Sequence, residues 1–149
     1  MRAVVQRVTS VAIEVEGETI AAMEEGLLAL VAVGTGDTED DAVRLARKIV
    51  QLRIFNDEAL RMNRSLVETG GSLAVVSQFT LYGDCRKGRR PFYGDAARPD
   101  IAAPLVEKVA EEAQRLGSPV VTGRFQATMR VALVNDGPVT LLLDTRDAF

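Results

Sequence analysis

The chain has 149 residues, 47% hydrophobic and 26% charged, a balance that predicts a soluble globular protein with one domain over residues 1–149. Its net charge of −3 excludes a generally basic nucleic-acid binder, although a local basic patch can still contact phosphate. The sequence has no histidine, which excludes Ser-His-Asp and Cys-His catalysis. With only one cysteine as well, Cys85, we expect no zinc site and no intrachain disulfide.

The same composition indicates where the protein works. No run is long and apolar enough to span a bilayer, and the N-terminal residues lack the apolar region of a signal peptide. We therefore expect a cytoplasmic protein without a membrane partner, a metal or another cofactor. If the protein is an enzyme, it must act through carboxylates, hydroxyls, lysine, backbone dipoles or its own substrate.

The first third of the chain predicts four strands and a helix. The strands are expected at Arg2–Val8, Val11–Val15, Glu18–Ala21 and the glycine-bounded apolar run Gly26–Val33. A helix should begin after an N-cap at Asp37 or Thr38, because acidic residues fill its first turn, and it should end near Leu52. One face should be buried, formed by Ala42, Leu45, Ala46, Ile49 and Val50.

The remainder predicts five further strands and a second helix, so strands dominate an α+β domain with two helices. The strands are expected at Arg53–Phe55, Ser72–Phe79, Val120–Thr122, Met129–Val134 and Val139–Leu143. The helix should run from Ile101 to Leu116, with a stripe formed by Ala103, Val106, Ala110, Ala113 and Leu116. Asn56–Asn63 and Tyr82–Pro99 are predicted loops, the second because glycine and proline interrupt it.

The segment Asn135–Thr140 places Gly137-Pro138 between the last two apolar runs. Proline removes a ladder donor, an X-Pro bond becomes cis at modest cost, and a glycine lets another molecule approach the backbone. An ordinary hairpin turn explains the same residues, and taken alone they favour the turn. The flanking runs are candidates for a strand-mediated dimer contact, although a buried central hairpin explains them equally well.

Two other segments carry side chains suited to a site. Ser77–Tyr82 follows a buried run and offers hydroxyls, an amide, and the rings of Phe79 and Tyr82 for stacking on a base. The alternative is that these polar side chains are hydrogen-bonded groups of the core, and the segment taken alone favours this alternative. Arg86–Tyr93 interleaves cations with aromatic rings, a pattern that suits single-stranded nucleic acid, with a solvated loop as the alternative.

Taken together, six segments in this order resemble the D-aminoacyl-tRNA deacylase family of the bacterial and eukaryotic type. They are Met1–Val8, Leu52–Phe55, Ser77–Tyr82, Arg86–Pro91, Thr122–Phe125 and Val134–Thr140. The resemblance covers nearly the whole chain. It implies a D-tyrosyl-tRNA deacylase-like fold, a single α+β domain with mixed, mainly antiparallel, barrel-like sheets and two helices.

The resemblance also implies a function. Members are cytoplasmic homodimers with active sites at the interface, and they hydrolyse the carboxylic ester between a D-amino acid and the 3′-terminal adenosine of tRNA. The products are free D-amino acid and tRNA, and glycine mischarged on tRNA is also removed. By resemblance, Gly137 and Pro138 form a cis peptide whose carbonyls reject L-amino acids in the partner's active site.

Further roles follow from the resemblance for particular residues. Ser77, Gln78, Phe79 and Thr80 are expected to form the catalytic pocket. Arg7 is expected to hold the Gly-Pro loop, while Phe125 and Met129 are expected near the pocket. The tRNA-binding residues are expected in the basic segment, at Arg86, Lys87, Arg89 and Arg90.

The chain departs from the family pattern at a few positions outside the two key motifs. Gly83 and Cys85 stand where alanine and threonine are expected, Gln126 replaces a glycine, and Phe92–Gly94 differs from the usual serine-bearing stretch. The catalytic role of Thr80 has two versions, a nucleophile or a residue that positions a substrate whose own 2′-hydroxyl assists hydrolysis. The missing histidines fit the second version better.

Two hypotheses compete with the deacylase. One is a non-catalytic binder of the tRNA end that uses Arg86–Tyr93. The other is a general hydrolase of small esters that uses Thr80.

Overall fold

A computed structural model describes residues 1–148. The strands are β1 (Arg2–Val15), β2 (Glu18–Met23), β3 (Gly26–Ala32), β4 (Phe55–Asn56), β5 (Met62–Arg64), β6 (Ser72–Ser77), β7 (Val120–Thr122) and β8 (Arg130–Asp144). The helices are α1 (Glu39–Gln51), α2 (Leu66–Thr69) and α3 (Pro99–Arg115), and a 3-10 turn spans Phe79–Tyr82.

Six strands form one sheet in the order β2-β1-β3-β6-β7, with β8 paired to the other edge of β1. β1 is antiparallel to β2, β3 and β8, whereas β3, β6 and β7 are mutually parallel. The parallel connections contain α1 and α3, as crossovers between parallel strands require. β2 and β7 lie near each other, so the sheet nearly closes. The expected α+β fold with a barrel-like sheet is therefore confirmed.

The central strand β3 is buried on both faces, and this divides the core into two clusters. Leu27, Ala29 and Val31 point toward α1 and α3, which pack against each other over this face. Leu28 points to the opposite face, into the curved interior of the sheet, where Val76 also lies. Both helices therefore lie on one side, leaving the far ends of β3 and β6 open to form a site.

Helix α1 agrees with the sequence prediction. Thr38 is its N-cap, Leu52 its C-cap, and the five residues of the predicted apolar face are all buried. The predicted stripe of α3 is partly wrong, because the helix buries Ala102, Leu105 and Val109. The predicted residues Ala103 and Val106, which are their neighbours, are only partly buried.

Several predicted boundaries of shorter elements are also wrong. β1 runs without a break through Thr9 and Ser10, and β6 ends at Ser77 rather than Phe79. The predicted loop Asn56–Asn63 contains most of a small β4–β5 pair. The single-turn helix α2 was missed, although Ser65 and Glu68 form a capping box that signals it.

The last two predicted strands are a single strand, which overturns the hairpin interpretation of Gly137-Pro138. Both halves of β8 run antiparallel to β1, with Gln6 opposite Thr140 and Val8 opposite Asn135. The four residues Asp136–Val139 therefore lie opposite the single residue Arg7 and bulge from a continuous strand. β8 is also an edge strand rather than part of a buried central hairpin.

A buried carboxylate connects the two long helices. Glu112 on α3 accepts two hydrogen bonds from Arg115, at 2.7 and 2.8 Å, and one from Arg47 on α1 at 3.3 Å. The hydrogen bonds from Arg115, reinforced by Arg47, hold the pKa of Glu112 at about 2, below its ordinary 4.5, although burial opposes this shift. The folded state thus favours the ionised carboxylate.

We predict that acid weakens the protein through Glu112. The folded pKa is depressed, so the contribution is fully present above about pH 4.5 and is lost as the pH falls toward about 2. Glu112→Gln should lower the free energy of unfolding at pH 7 and flatten its decline in that window, measured by urea denaturation. Glu111→Gln, at an exposed neighbouring position, is the matched control. Equal acid profiles for wild type and Glu112→Gln would contradict the prediction.

Candidate active site

A cavity of about 700 Å³ opens at the carboxyl ends of β3 and β6. Ser77, Gln78 and Phe79 form one wall and Phe125–Met129 another. The segment 93–102 contributes a third wall through Tyr93, Ala96, Ala97, Pro99 and Ala102, and Ala32, Val33, Val76 and Val131 complete the lining. Five of the predicted site residues therefore meet in one cavity, at the edge of a parallel strand pair where ligand sites are common.

The wall that contains Gln78 is set by the end of β6. The Gln78 N–H donates to the Val31 carbonyl at 2.7 Å, after which the chain leaves the sheet and enters the 3-10 turn. Thr80 lies on that turn, exposed beside the cavity, and its Oγ1 accepts a hydrogen bond from the Gln78 side-chain amide. An amide N–H cannot take a proton from a hydroxyl, so Gln78 orients Thr80 without activating it.

The opposite wall depends on two unusual backbone positions. A Cβ at Gly123 would lie 2.6 Å from the Met129 sulfur, so glycine there makes room for the Met129 side chain. Gln126 has φ of 61°, the left-handed region that favours glycine. The residue that departs from the family pattern thus occupies a glycine-like conformation in the cavity wall. Sequence reasoning named Phe125 and Met129 but missed Gln126–Thr128 between them.

Tyr82 does not reach the cavity, contrary to the prediction that its ring is available for stacking. It is buried, with the Arg2 guanidinium 4.4 Å from its ring centroid, and its hydroxyl donates to Asp37 at 3.4 Å. Burial and the neighbouring Asp37 raise the pKa of the Tyr82 phenol above its usual value. Gly34 permits this packing, since a Cβ there would lie 2.5 Å from the phenol oxygen.

The Gly137-Pro138 bulge lies away from this cavity within the chain. Its peptide bond is cis, and Gly137 has φ of 146°. Arg7 pairs with Leu27 at the start of β3, whereas Ala32 at the end of β3 lines the cavity. Leu27 and Ala32 are five residues apart along the strand, a distance of about 17 Å. The bulge therefore does not form a wall of its own chain's cavity.

Two side chains hold the bulge in shape. The buried Arg7 guanidinium donates from Nε to the Asp136 carbonyl at 3.0 Å and from Nη1 to the Ile54 carbonyl at 2.7 Å. Asn135 Oδ1 accepts from the Val139 N–H at 2.8 Å, across the extra residues. Arg7 is thus in contact with the bulge, as its expected role requires.

The predicted basic segment forms a loop beside the cavity. We call residues 84–92 the basic loop; reciprocal backbone hydrogen bonds of 2.8 and 2.9 Å between Asp84 and Phe92 close it. Arg86 makes two side-chain hydrogen bonds to Asp84, at 2.9 and 2.7 Å, and they lower the pKa of Asp84 to about 2. Within residues 1–148, Arg86 and Asp84 form the one ion pair of the loop. The other cations of the loop are exposed, namely Lys87, Arg89 and Arg90.

Within residues 1–148, no three metal-ligating side chains cluster together. Over the same residues, none of the helices has the length and apolar character needed to cross a membrane.

Comparison with known proteins identifies the family. The family model described as D-Tyr-tRNA(Tyr) deacylase matches residues 4–144. The chain belongs to this family. A protein of Roseiflexus castenholzii named D-aminoacyl-tRNA deacylase is 59% identical over 145 residues, 97% of this chain and 92% of that protein. One from Thermosipho africanus with the same name is 54% identical over 149 residues, the full length of both chains.

Solved structures show the same fold. A structure described as a c-Myc DNA unwinding element binding protein matches with a TM-score of 0.92 and 34% identity, covering 97% of this chain and 99% of that one. A probable eukaryotic D-amino acid tRNA deacylase matches with a TM-score of 0.81 at 16% identity, over 95% and 97%. The family inferred from the sequence is therefore confirmed, together with its classification as a deacylase and hydrolase.

Proposed function

We propose that the protein hydrolyses the ester that joins a D-amino acid to the 3′-terminal adenosine of tRNA, in the cytoplasm. The observation that carries the proposal is the cavity in which Ser77–Phe79 faces Phe125–Met129, in a chain that matches the deacylase family over residues 4–144. The cavity offers apolar and aromatic walls for a base and an amide and a hydroxyl for a polar ester. Glycine esterified to tRNA belongs to the same substrate class.

The chemistry we propose is assisted by the substrate. Water attacks the ester carbonyl, the C–O bond to the ribose breaks, and the adenosine 2′-hydroxyl orients the attacking water. Holding the ester and water in place can contribute about 7–11 kcal/mol in well-oriented systems. The first amides of a helical turn lack intrahelical acceptors, so the N–H groups of Phe79 and Thr80 suit a developing oxyanion, at about 2.7–4 kcal/mol per donor.

We predict that Thr80→Ala keeps kcat/KM within about tenfold of wild type, because its hydroxyl only accepts a hydrogen bond from Gln78. A D-tyrosyl-tRNA that ends in 2′-deoxyadenosine should react about a hundredfold more slowly or worse, since the assisting hydroxyl is missing. Both rates come from the same single-turnover deacylation assay. Collapse of activity in Thr80→Ala with recovery in Thr80→Ser would instead support Thr80 as nucleophile and the general esterase.

Chiral selection is proposed to come from the backbone of Gly137-Pro138. Carbonyl groups form a wall where an L side chain would project, so every L-amino acid is rejected by clash, whatever its side chain. The contacts of Arg7 and Asn135 support this proposal, since they hold the bulge in one shape. Such a wall leaves glycine, which has no side chain, as an accepted substrate.

We predict rapid hydrolysis of D-tyrosyl-tRNA and glycyl-tRNA and at least about a hundredfold slower hydrolysis of L-tyrosyl-tRNA. Gly137→Ala should reduce the D/L ratio, because its Cβ would lie 2.7 Å from the Val139 nitrogen and displace the bulge. Gly17→Ala also forces alanine into positive φ, but with no atom within 4 Å, and should keep the ratio. Comparable wild-type rates for both enantiomers, or none for either, would refute the deacylase.

We infer that two copies of the chain complete each site. The bulge and the cavity are at opposite ends of β3, so the bulge of one copy can serve only the cavity of another. The outer edge of the 15-residue strand β8 has no partner strand within residues 1–148, and it presents exposed Val134 and Leu142. A long apolar edge of this kind is ordinarily covered.

We predict that the wild type sediments as a dimer and that Leu142→Glu dissociates it, because the charge cannot be buried in an apolar contact. The monomer should lose deacylation while its circular dichroism stays native. Leu60→Glu, at an exposed apolar position on the β4–β5 loop, is the control and should remain dimeric and active. A fully active wild-type monomer would contradict the shared site.

The tRNA itself is proposed to contact the basic loop. Lys87, Arg89 and Arg90 are exposed and suit phosphate contacts, whereas Arg86 is held by Asp84 and fixes the loop. The basic loop is also compatible with a second candidate function, that of a non-catalytic binder of nucleic-acid ends. The name of the 34%-identical structure, a DNA unwinding element binding protein, favours that candidate. Salt-sensitive binding of tRNA without ester cleavage would establish it.

A further inference from the structure

Aromatic rings remain exposed at the mouth of the cavity. Phe79 is 55% exposed, Tyr93 36% and Phe92 69%. The Phe79 and Tyr93 rings meet edge to face, with centroids 5.1 Å apart and an interplanar angle of 66°. Both rings also line the cavity. We call the pair of Phe79 and Tyr93 the aromatic platform. Exposing so much ring surface is costly unless a ligand covers it.

The backbone holds the platform in place. The segment after Tyr93 is fixed to the end of β3, through the Thr35 N–H to the Asp95 carbonyl at 2.9 Å and the Ala97 N–H to Val33 at 2.9 Å. A Cβ at Gly83 would lie 3.0 Å from Tyr93 Cε1, so glycine at this position lets the ring lie close to the 3-10 turn. The ring is therefore positioned before any ligand binds.

The basic loop leads directly into the platform. Phe92, which closes the loop, is followed at once by Tyr93, and the exposed cations of the loop lie within six residues of it. Cations that follow a phosphate backbone, beside rings on which successive bases stack, are typical of sites for single-stranded nucleic acid. The two rings of the platform line the cavity proposed for the terminal adenosine, and the basic loop adjoins them through Phe92.

We propose that the aromatic platform binds the unpaired nucleotides that precede the terminal adenosine of tRNA, by stacking that does not depend on base identity. The proposal rests on the proposed function and extends it from the last nucleotide to the single strand before it. Tyr93 supplies the added stacking surface, and Lys87, Arg89 and Arg90 neutralise the accompanying phosphates.

The test measures binding of uncharged oligoribonucleotides of one to four nucleotides that end in a 3′-adenosine, by calorimetry. The wild type should gain at least about fivefold in affinity on addition of the nucleotide that stacks. Tyr93→Ser should lose that gain, and Tyr93→Phe should keep it. Gly83→Ala, which displaces the Tyr93 ring without removing it, should reduce the gain. Val67→Ser is the matched control at 38% exposure, at the opposite end of β6.

The outcomes separate this proposal from the proposed function. A length-dependent gain that survives Tyr93→Ser, or no gain in the wild type, would overturn the platform. If Tyr93→Ser lowers the affinity for one nucleotide as much as the affinity for four, the proposal is also overturned. Tyr93 would then only support the cavity through Phe79. Failure of the wild type to deacylate D-tyrosyl-tRNA refutes the proposed function, whatever the oligonucleotides show.

Discussion

The buried guanidinium of Arg7 is the interaction on which the arrangement of this protein depends. It lies where four residues of β8 are opposite one residue of β1, and it donates to the carbonyls of Asp136 in the bulge and Ile54 after α1. A buried cation is tolerated only when its hydrogen bonds are made, so the sheet, the bulge and the segment after α1 are fixed together. Its ionic contact with Asp136, at 3.3 Å, adds a charged partner.

This constraint explains why the bulge and the cavity lie far apart in one chain. β1 pairs with β3 and β8 on its two edges, so a bulge opposite Arg7 must lie near the start of β3. The cavity lies at the end of β3, where Gln78 leaves the sheet. A single chain thus carries the bulge at one end of a strand and the cavity at the other. Under the proposed function, two copies are needed because the distance is built into the sheet.

The sequence predicted those features that depend on local patterns. Thr38 and the apolar periodicity specify α1, and Ser77–Phe79 were correctly expected at the end of a buried strand. Taken alone, Gly137-Pro138 predicts a turn, because the register of β8 against β1 depends on residues over 120 positions away. Tyr82 looked like a stacking ring, since nothing near it in sequence shows that Asp37 and Arg2 bury it. Tyr93 was missed as a cavity residue because only tertiary hydrogen bonds bring its loop to β3.

The proposed chemistry shares one property with the proposed chiral filter, which is that both use the backbone. Amides at the 3-10 turn would stabilise charge, and carbonyls at the bulge would exclude L side chains, so the composition needs no histidine. Side chains then act by shaping the backbone: Asn135 bridges the bulge to Val139, Arg7 anchors it, and Gln78 orients the turn through Thr80. Such residues are recognisable in a sequence only after the backbone that they shape is known, which is why Gly137 and Pro138 become informative in the context of Arg7.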